Sequence, residues 1–263
     1  MKDSKRDGYS ALLSTAISLA TNFGLNLPVD AQKLLASSAP VINQCINRVL
    51  RLFEKKSFAE IESARLGLCY AQMAATVKQN LEAGHELSFP DLALSEGTHT
   101  KADEIIEAIF KAAIDDSQTV KSLLYGHLMG NIPFQSQYDA SASYLLLKTA
   151  MQLTYDELCL LAVMDKLSEK NYYNLEQKAG EGDAIASELF AYMLHINNLG
   201  LLKRVPAYTN GRSLDNHQIS SLGHDLCSFL ELKWLGINEV KRLNTRLAPY
   251  LSDVYNPFRN KDR

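Results

Sequence analysis

Three residues near the C-terminal end of the chain have side chains that could bind a metal ion. His224 and Cys227 are one helical turn apart, so that in a helix they would share a face, and His217 precedes them. A zinc site normally needs more ligands than this, and the chain contains neither a CxxC pair nor an HExxH motif. We therefore predict no metal site here and interpret the three residues as structural.

Residues that could catalyse hydrolysis or group transfer do not form any known motif. The chain contains no GxSxG motif, no P-loop and no dinucleotide-binding glycine motif. Asp115 and Asp116 follow an amphipathic segment and are better explained as a helix end, while His127 lies on an apolar helix face, as core histidines do. The sequence thus predicts a protein that is not an enzyme and that uses no cofactor or small-molecule substrate.

Three cations are candidates for contacts with nucleic acid. Lys203, Arg204 and Arg212 lie in a predicted β-hairpin, where they could bind phosphates. The preceding helix, from Asp183 to Leu199, contains no Lys or Arg, whereas a helix that reads DNA normally carries cations. DNA binding is therefore the less favoured interpretation. The net charge of −3 also supplies no overall field that attracts phosphates.

The N-terminal segment is the second candidate for an interaction. Leu12, Leu13 and Ile17 share one side of a predicted helix and are candidates for an exposed interaction surface. Residues 8–29 carry no charge, which raises the alternative of a secreted or membrane-acting protein. Polar residues interrupt this run, and Gly24 and Pro28 end it before the roughly 20 apolar residues that a membrane span requires. Membrane binding is therefore not favoured.

The composition indicates a globular protein of the cytoplasm. Apolar residues make up 46% of the 263 residues, enough for one large core or two smaller ones. The four cysteines are far apart in the sequence and have mostly apolar neighbours, which favours reduced thiols in the core over a disulfide or zinc framework. They are Cys45, Cys69, Cys159 and Cys227.

The stretch from Asp103 to Met164 has the strongest helical pattern. Apolar pairs recur at helical spacing from Ile105 to Ile114, and a second apolar stripe runs from Val120 to Leu128. Gly126 and Gly130 are one turn apart in the second helix, where each costs roughly 1 kcal/mol relative to Ala. Close approach of another helix would offset that cost.

Helix boundaries are indicated by capping residues. Ser57 with Glu60 and Thr154 with Glu157 have the spacing of capping boxes, and Asp139 is placed to begin another helix. Further helices are predicted from about Pro40, after Thr154, from Ala184 to Leu199, after Leu222 and from Asn238. Residues 84–100 and 170–182 are predicted to be loops.

The C-terminal third has the element order of a winged helix, in which helices are followed by a two-stranded hairpin and another helix. Asn210-Gly211 is a typical hairpin turn between the two predicted strands. We therefore predict a mainly α protein with a multi-helix N-terminal domain, a degenerate winged-helix-like α+β subdomain and a C-terminal helix with a flexible tail. The predicted ranges are 1–150, 151–235 and 236–263.

Several segments resemble bacterial abortive-infection alpha-type proteins and related helical proteins. The resemblance covers roughly residues 103–230 and is carried by residues 107–113, 123–132, 153–162, 199–202 and 219–226. The chain departs from the pattern at Gly126-His127, and its N-terminal half does not align with it. The resemblance implies a role in defence against phage and transfers no catalytic residue.

These observations favour a non-enzymatic protein that acts by contacting other proteins. The expected partner is a protein or a further copy of the same chain. A DNA-binding regulator and a membrane-acting effector are the alternatives. Partners, trigger and oligomeric state do not follow from the residues.

Overall fold

The computed structural model describes most of the chain after Ala39. The described residues are 40–53, 58–88, 100–166, 170–171, 173–209, 212–235, 237–250 and 252–253. Within these ranges the chain forms ten α-helices, three short 3₁₀ helices and two small antiparallel sheets. The prediction of a mainly helical protein is thus confirmed.

The chain divides into two compact units between Gln152 and Leu153. The first unit contains five described α-helices and one 3₁₀ helix. The α-helices are α1 (Pro40–Phe53), α2 (Glu60–Glu82), α3 (Lys101–Asp115), α4 (Lys121–Asn131) and α5 (Ala140–Gln152), with the 3₁₀ helix Ile132–Phe134 directly after α4. Helix α4 ends at Asn131 because Pro133 lacks the N–H that a continuing helix needs.

Helices α2 and α4 pack most closely, and two glycines make this approach possible. A Cβ added at Gly126 would lie 2.5 Å from the carbonyl oxygen of Cys69, and one at Gly130 would lie 2.5 Å from the Cβ of Thr76. No side chain larger than hydrogen fits at either position without movement of α2. The predicted close approach of a second helix is therefore confirmed.

Helix α3 has the two faces predicted for it. Its large apolar residues from Ile105 to Ile114 are buried, whereas Glu104 and Lys111 are exposed. Thr100 begins the helix, since its hydroxyl accepts a hydrogen bond from the backbone N–H of Asp103 and the carboxylate of Asp103 accepts one from the N–H of Thr100. This reciprocal cap is the one that the Thr-x-x-Asp spacing permits.

The second unit contains the remaining helices and both sheets. Its α-helices are α6 (Tyr155–Lys166), α7 (Tyr173–Gly180), α8 (Ala184–Asn198), α9 (Ser221–Phe229) and α10 (Ile237–Leu247). Strands β2 (Leu202–Thr209) and β3 (Arg212–Ile219) form a hairpin, and the two-residue strands β1 (Lys170–Asn171) and β4 (Ser252–Asp253) pair with each other. The other two 3₁₀ helices are Leu232–Trp234 and Ala248–Tyr250.

Two local predictions in this unit had different outcomes. The capping box at Thr154 is confirmed, because the carboxylate of Glu157 accepts a hydrogen bond from the N–H of Thr154 and helix α6 is buried from Glu157 to Met164. The predicted loop over residues 170–182 is wrong, since α7 occupies most of it. A short polar helix with Leu175 as its buried apolar residue is stabilised by packing against α8 and leaves little trace in the sequence.

The beginning of α2 corrects another prediction. The residue at the N-terminal boundary of the helix is Ala59 and not Ser57, and the carboxylate of Glu62, not of Glu60, accepts a hydrogen bond from the N–H of Ala59 at 2.8 Å. Glu62 is the residue three positions after the boundary, so it alone has the correct spacing.

Some predictions fall on residues outside the described ranges. They are the helix containing Leu12, Leu13 and Ile17, most of the loop at 84–100, the turn Asn210-Gly211 and the C-terminal tail. That residues 1–150, 151–235 and 236–263 form separate domains also stays a prediction. None of the described helices is long and apolar enough to cross a membrane.

Candidate functional site

The outer face of helix α5 carries the largest group of exposed apolar side chains in the first unit's described part. Tyr144, Leu145 and Met151 are 40%, 51% and 50% exposed, and Lys148 is exposed between them. The opposite side of the helix, with Leu146, Leu147 and Ala150, is buried. We call the exposed side chains of Tyr144, Leu145, Lys148 and Met151 the α5 surface.

Charged residues of α3 lie beside one edge of the α5 surface. Partial burial and the negative charges of Glu104 and Glu107 raise the pKa of Tyr144, so its phenol is neutral at neutral pH. Glu107 is already paired with Lys111 at 2.6 Å. Lys148, in contrast, forms no ion pair with any residue in the described ranges.

A buried charge cluster lies at the C-terminal end of α5. Lys121 is 3% exposed, and its Nζ is 2.7 Å from a carboxylate oxygen of Asp116 and 3.5 Å from the carbonyl oxygen of Met151. The hydroxyl of Tyr125 donates to the same carboxylate at 2.7 Å. Burial opposes ionisation of Asp116, but the hydrogen bonds from Lys121 and Tyr125 outweigh it and lower its pKa. The cluster joins α4 to the end of α5.

His127 is a core histidine, as predicted. It is 2% exposed, and its Nδ1 lies 3.0 Å from the hydroxyl of Thr76 and 3.4 Å from the amide of Gln72, both on α2. Farther along the same contact, the amide of Asn80 donates to Asn131. These polar side chains fix the register of α2 against α4.

Arg48 lies among charged residues of α1 that the sequence pattern places on a solvated face, but it is bound to a buried carboxylate. Its guanidinium binds Asp103, which is completely buried, with Nη2 at 2.8 Å and Nε at 3.0 Å from the two carboxylate oxygens. The pair joins α1 to the beginning of α3. No local sequence pattern indicates this pair, because Arg48 and Asp103 are 55 residues apart in the chain.

Two histidines of the second unit are each paired with a carboxylate of α6. Nδ1 of His195 is 2.7 Å from Glu157, and Nδ1 of His224 is 2.7 Å from Asp165. Cys227 is buried, which raises the pKa of its thiol well above the ordinary value and keeps it protonated. Neither dyad has a third metal-binding group beside it, and no cluster of three such groups occurs within the described ranges.

The C-terminal helix α10 is held by ion pairs that occupy its arginines. Arg242 is 2.8 Å from Asp156 of α6, and Arg246 is 2.6 Å from Glu188 of α8. Tyr250 adds a hydrogen bond to Asp183, the residue that begins α8. Both arginines thus have acidic partners that would compete with phosphates.

The predicted cations of the hairpin are not gathered into a patch by the backbone. Lys203 pairs with Gln218 near the base of the hairpin, and Arg212 pairs with Thr209 at its tip. The intervening length of strand is about 20 Å. Arg204 is opposite His217. Contacts of these cations with nucleic acid stay a prediction.

The exposed residues of α8, the helix before the hairpin, are mostly uncharged. Leu194 is 41% exposed on the same face as the exposed residues Ala184, Ser187 and Ala191, whereas Ile185, which is 45% exposed, lies on the opposite side of the helix from Leu194. A helix that presents such side chains is suited to contact protein and lacks the cations that bind DNA.

The sequence predicted the helix that carries the α5 surface, but it did not identify the four side chains as a candidate site. The sequence predicted a helix beginning at Asp139, without distinguishing the exposed apolar residues Tyr144, Leu145 and Met151 from the buried ones. Helix periodicity indicates which residues share a face. The exposed fraction of each side chain depends on which neighbouring helix covers that face, so periodicity alone does not predict it.

Comparison with known proteins gives no relative. No family model, curated protein or solved structure matches this chain.

Proposed function

We propose that this protein acts without catalysis, by binding another protein through the α5 surface. The observation that carries the proposal is the exposure of Tyr144, Leu145 and Met151 on one side of a single helix. Large apolar side chains that are contiguous and about half exposed are typical of protein interaction sites.

The charged and polar residues that could have suggested an enzyme have structural partners. His127, Asp116 and Asp103 each bind a side chain of a neighbouring helix within the first unit. Their arrangement is explained by packing, so it lends the catalytic alternative no support.

We further propose that the second unit is a winged-helix-like module. Its order of α6, α7, α8, hairpin and α9 supports this assignment. The uncharged face of α8 favours a module that contacts protein over the alternative of one that binds DNA.

The biological setting that we propose is bacterial defence against phage. This part rests on the resemblance of residues 103–230 to abortive-infection alpha-type proteins. Expression of the intact gene in a phage-sensitive host should reduce the number of plaques, and Leu145→Lys should abolish the reduction. Equal plaque counts with and without the gene, across a panel of unrelated phages, would remove this setting.

Site-specific photo-crosslinking tests the interaction itself. A photoreactive amino acid at position 145, in cells of the source organism, should give a discrete adduct with another protein. The same group at position 61 is the matched control, because Ile61 is 50% exposed but belongs to a different helix, α2. Absence of an adduct specific to position 145 would overturn the proposed function.

A further inference from the structure

We infer that the partner of the α5 surface is an amphipathic helix that carries a carboxylate between two apolar side chains. This inference rests on the proposed function and specifies the chemistry of the partner. It is carried by the position of Lys148, which is exposed between Leu145 and Met151 and has no ion-pair partner among the described residues.

The dimensions of the surface suit a helix. Tyr144 to Met151 spans about two helical turns, or roughly 10 Å along α5. Leu145 and Met151 stand one turn apart on either side of Lys148, which matches the spacing at which a partner helix presents side chains. Two apolar contacts with one charge between them therefore define the complementary helix.

The charge of Lys148 decides between a second copy and a different partner. In a symmetric dimer centred on the α5 surface, with either parallel or antiparallel helices, Lys148 would face Lys148 of the other copy. Juxtaposed like charges oppose association, especially where apolar neighbours exclude water. A glutamate or aspartate in a heterologous helix would instead form a charge-assisted pair with Lys148.

Lys121 supports this surface from within. Its ammonium group lies 3.5 Å from the carbonyl oxygen of Met151, at the end of α5. Since the backbone of α5 is anchored there and its inner face is buried, Leu145, Lys148 and Met151 are presented by a fixed helix. A rigid surface reduces the entropy lost on binding.

Two synthetic stapled helical peptides provide the test. Both carry leucines one turn before and one turn after a central residue, which is glutamate in one peptide and lysine in the other. Fluorescence anisotropy with the full chain should show binding of the glutamate peptide that is tighter by about tenfold. In Lys148→Glu protein the preference should reverse, and Leu145→Lys should abolish binding while Ile61→Lys leaves it unchanged.

The outcomes separate this inference from the proposed function. A crosslink at position 145 together with no glutamate preference, or with a preference that Lys148→Glu does not reverse, would overturn the inference and leave the proposed function standing. Failure of both peptides to bind would likewise overturn it. If sedimentation shows dimers of the wild type that Leu145→Lys abolishes, the partner of the α5 surface is a second copy of the chain and not a heterologous helix.

Discussion

Nδ1 of His127 lies 3.0 Å from the hydroxyl oxygen of Thr76, at the place where α4 and α2 approach most closely. Gly126 and Gly130 flank His127 and remove the side chains that would separate the helices. The glycines thus set the distance and the histidine sets the register. This combination gives the buried histidine a structural role in the packing of α4 against α2.

Gly126→Ala should lower the free energy of unfolding by about 1–3 kcal/mol, because the new methyl group would overlap the backbone of α2. Gly67→Ala is the matched control within α2, since a Cβ at Gly67 meets nothing within 4 Å. That control should raise stability by about 1 kcal/mol through helix propensity. Urea denaturation followed by circular dichroism measures both, and equal effects would contradict the close-packing explanation.

Helix periodicity was sufficient to predict most of the fold. The apolar stripe of α3, the glycines of α4 and the cap at Thr154 are all local patterns, and each is confirmed. Helix α4 itself is buried on every side from Lys121 to Gly130, not along one stripe. Helix α7 was missed because its residues are polar and its stability depends on α8. Local sequence patterns thus predict a helix when its own apolar and capping residues determine it, and not when its stability depends on contacts with another helix.

The pairings between distant residues were not predictable from the sequence. Arg48 and Asp103, and also His195 and Glu157, are brought together by the tertiary fold. A charge on a helix surface has the same sequence pattern whether it contacts water or a buried carboxylate. The α5 surface was missed for the corresponding reason, since its apolar residues have the same spacing as core residues.

Stability of the first unit should depend on pH through Asp103. Burial opposes ionisation of this carboxyl, but hydrogen bonds from Arg48 and Thr100 outweigh it and place its folded pKa below the ordinary value. The resulting stabilisation is present above the unfolded pKa of about 4 and is lost as the pH falls from there through the folded pKa. Wild type and Asp103→Asn should therefore differ most near neutral pH and converge in acid.

Urea denaturation at several pH values measures this difference. Asp115→Asn is the control, because Asp115 is exposed at the end of the same helix. It should change the free energy of unfolding by less than about 0.5 kcal/mol. A difference between wild type and Asp103→Asn that stays constant from neutral pH into acid would show that the ion pair is not the cause.

Asp116→Ala should be more damaging than removal of a surface charge. Lys121 would keep its ammonium group at 3% exposure after losing the carboxylate at 2.7 Å. Removal of one partner from such a buried pair costs about 3 kcal/mol. The double variant Asp116→Ala with Lys121→Met should recover part of that loss, because no charge is left behind.

Glu107→Ala, which removes one partner of a more exposed ion pair, is the comparison for the Asp116 and Lys121 variants. Its partner Lys111 is 50% exposed, so the change should cost less than about 1 kcal/mol. Thermal or urea unfolding measures all variants. Strictly additive losses for Asp116 and Lys121 would mean that the two charges do not depend on each other.

The last prediction concerns DNA. A fluorescently labelled duplex should not bind the protein at about 50 mM salt, where contacts with phosphates are strong. One reason is that α8 has no Lys or Arg. In addition, Arg242 and Arg246 are paired with Asp156 and Glu188. The hairpin cations are divided between the base of the hairpin and its tip. The opposite result would be binding that weakens steeply with added salt and that is abolished by the combined changes Lys203→Ala, Arg204→Ala and Arg212→Ala. Such a result would establish the hairpin as a nucleic-acid contact and would favour the DNA-binding regulator over the protein-binding function.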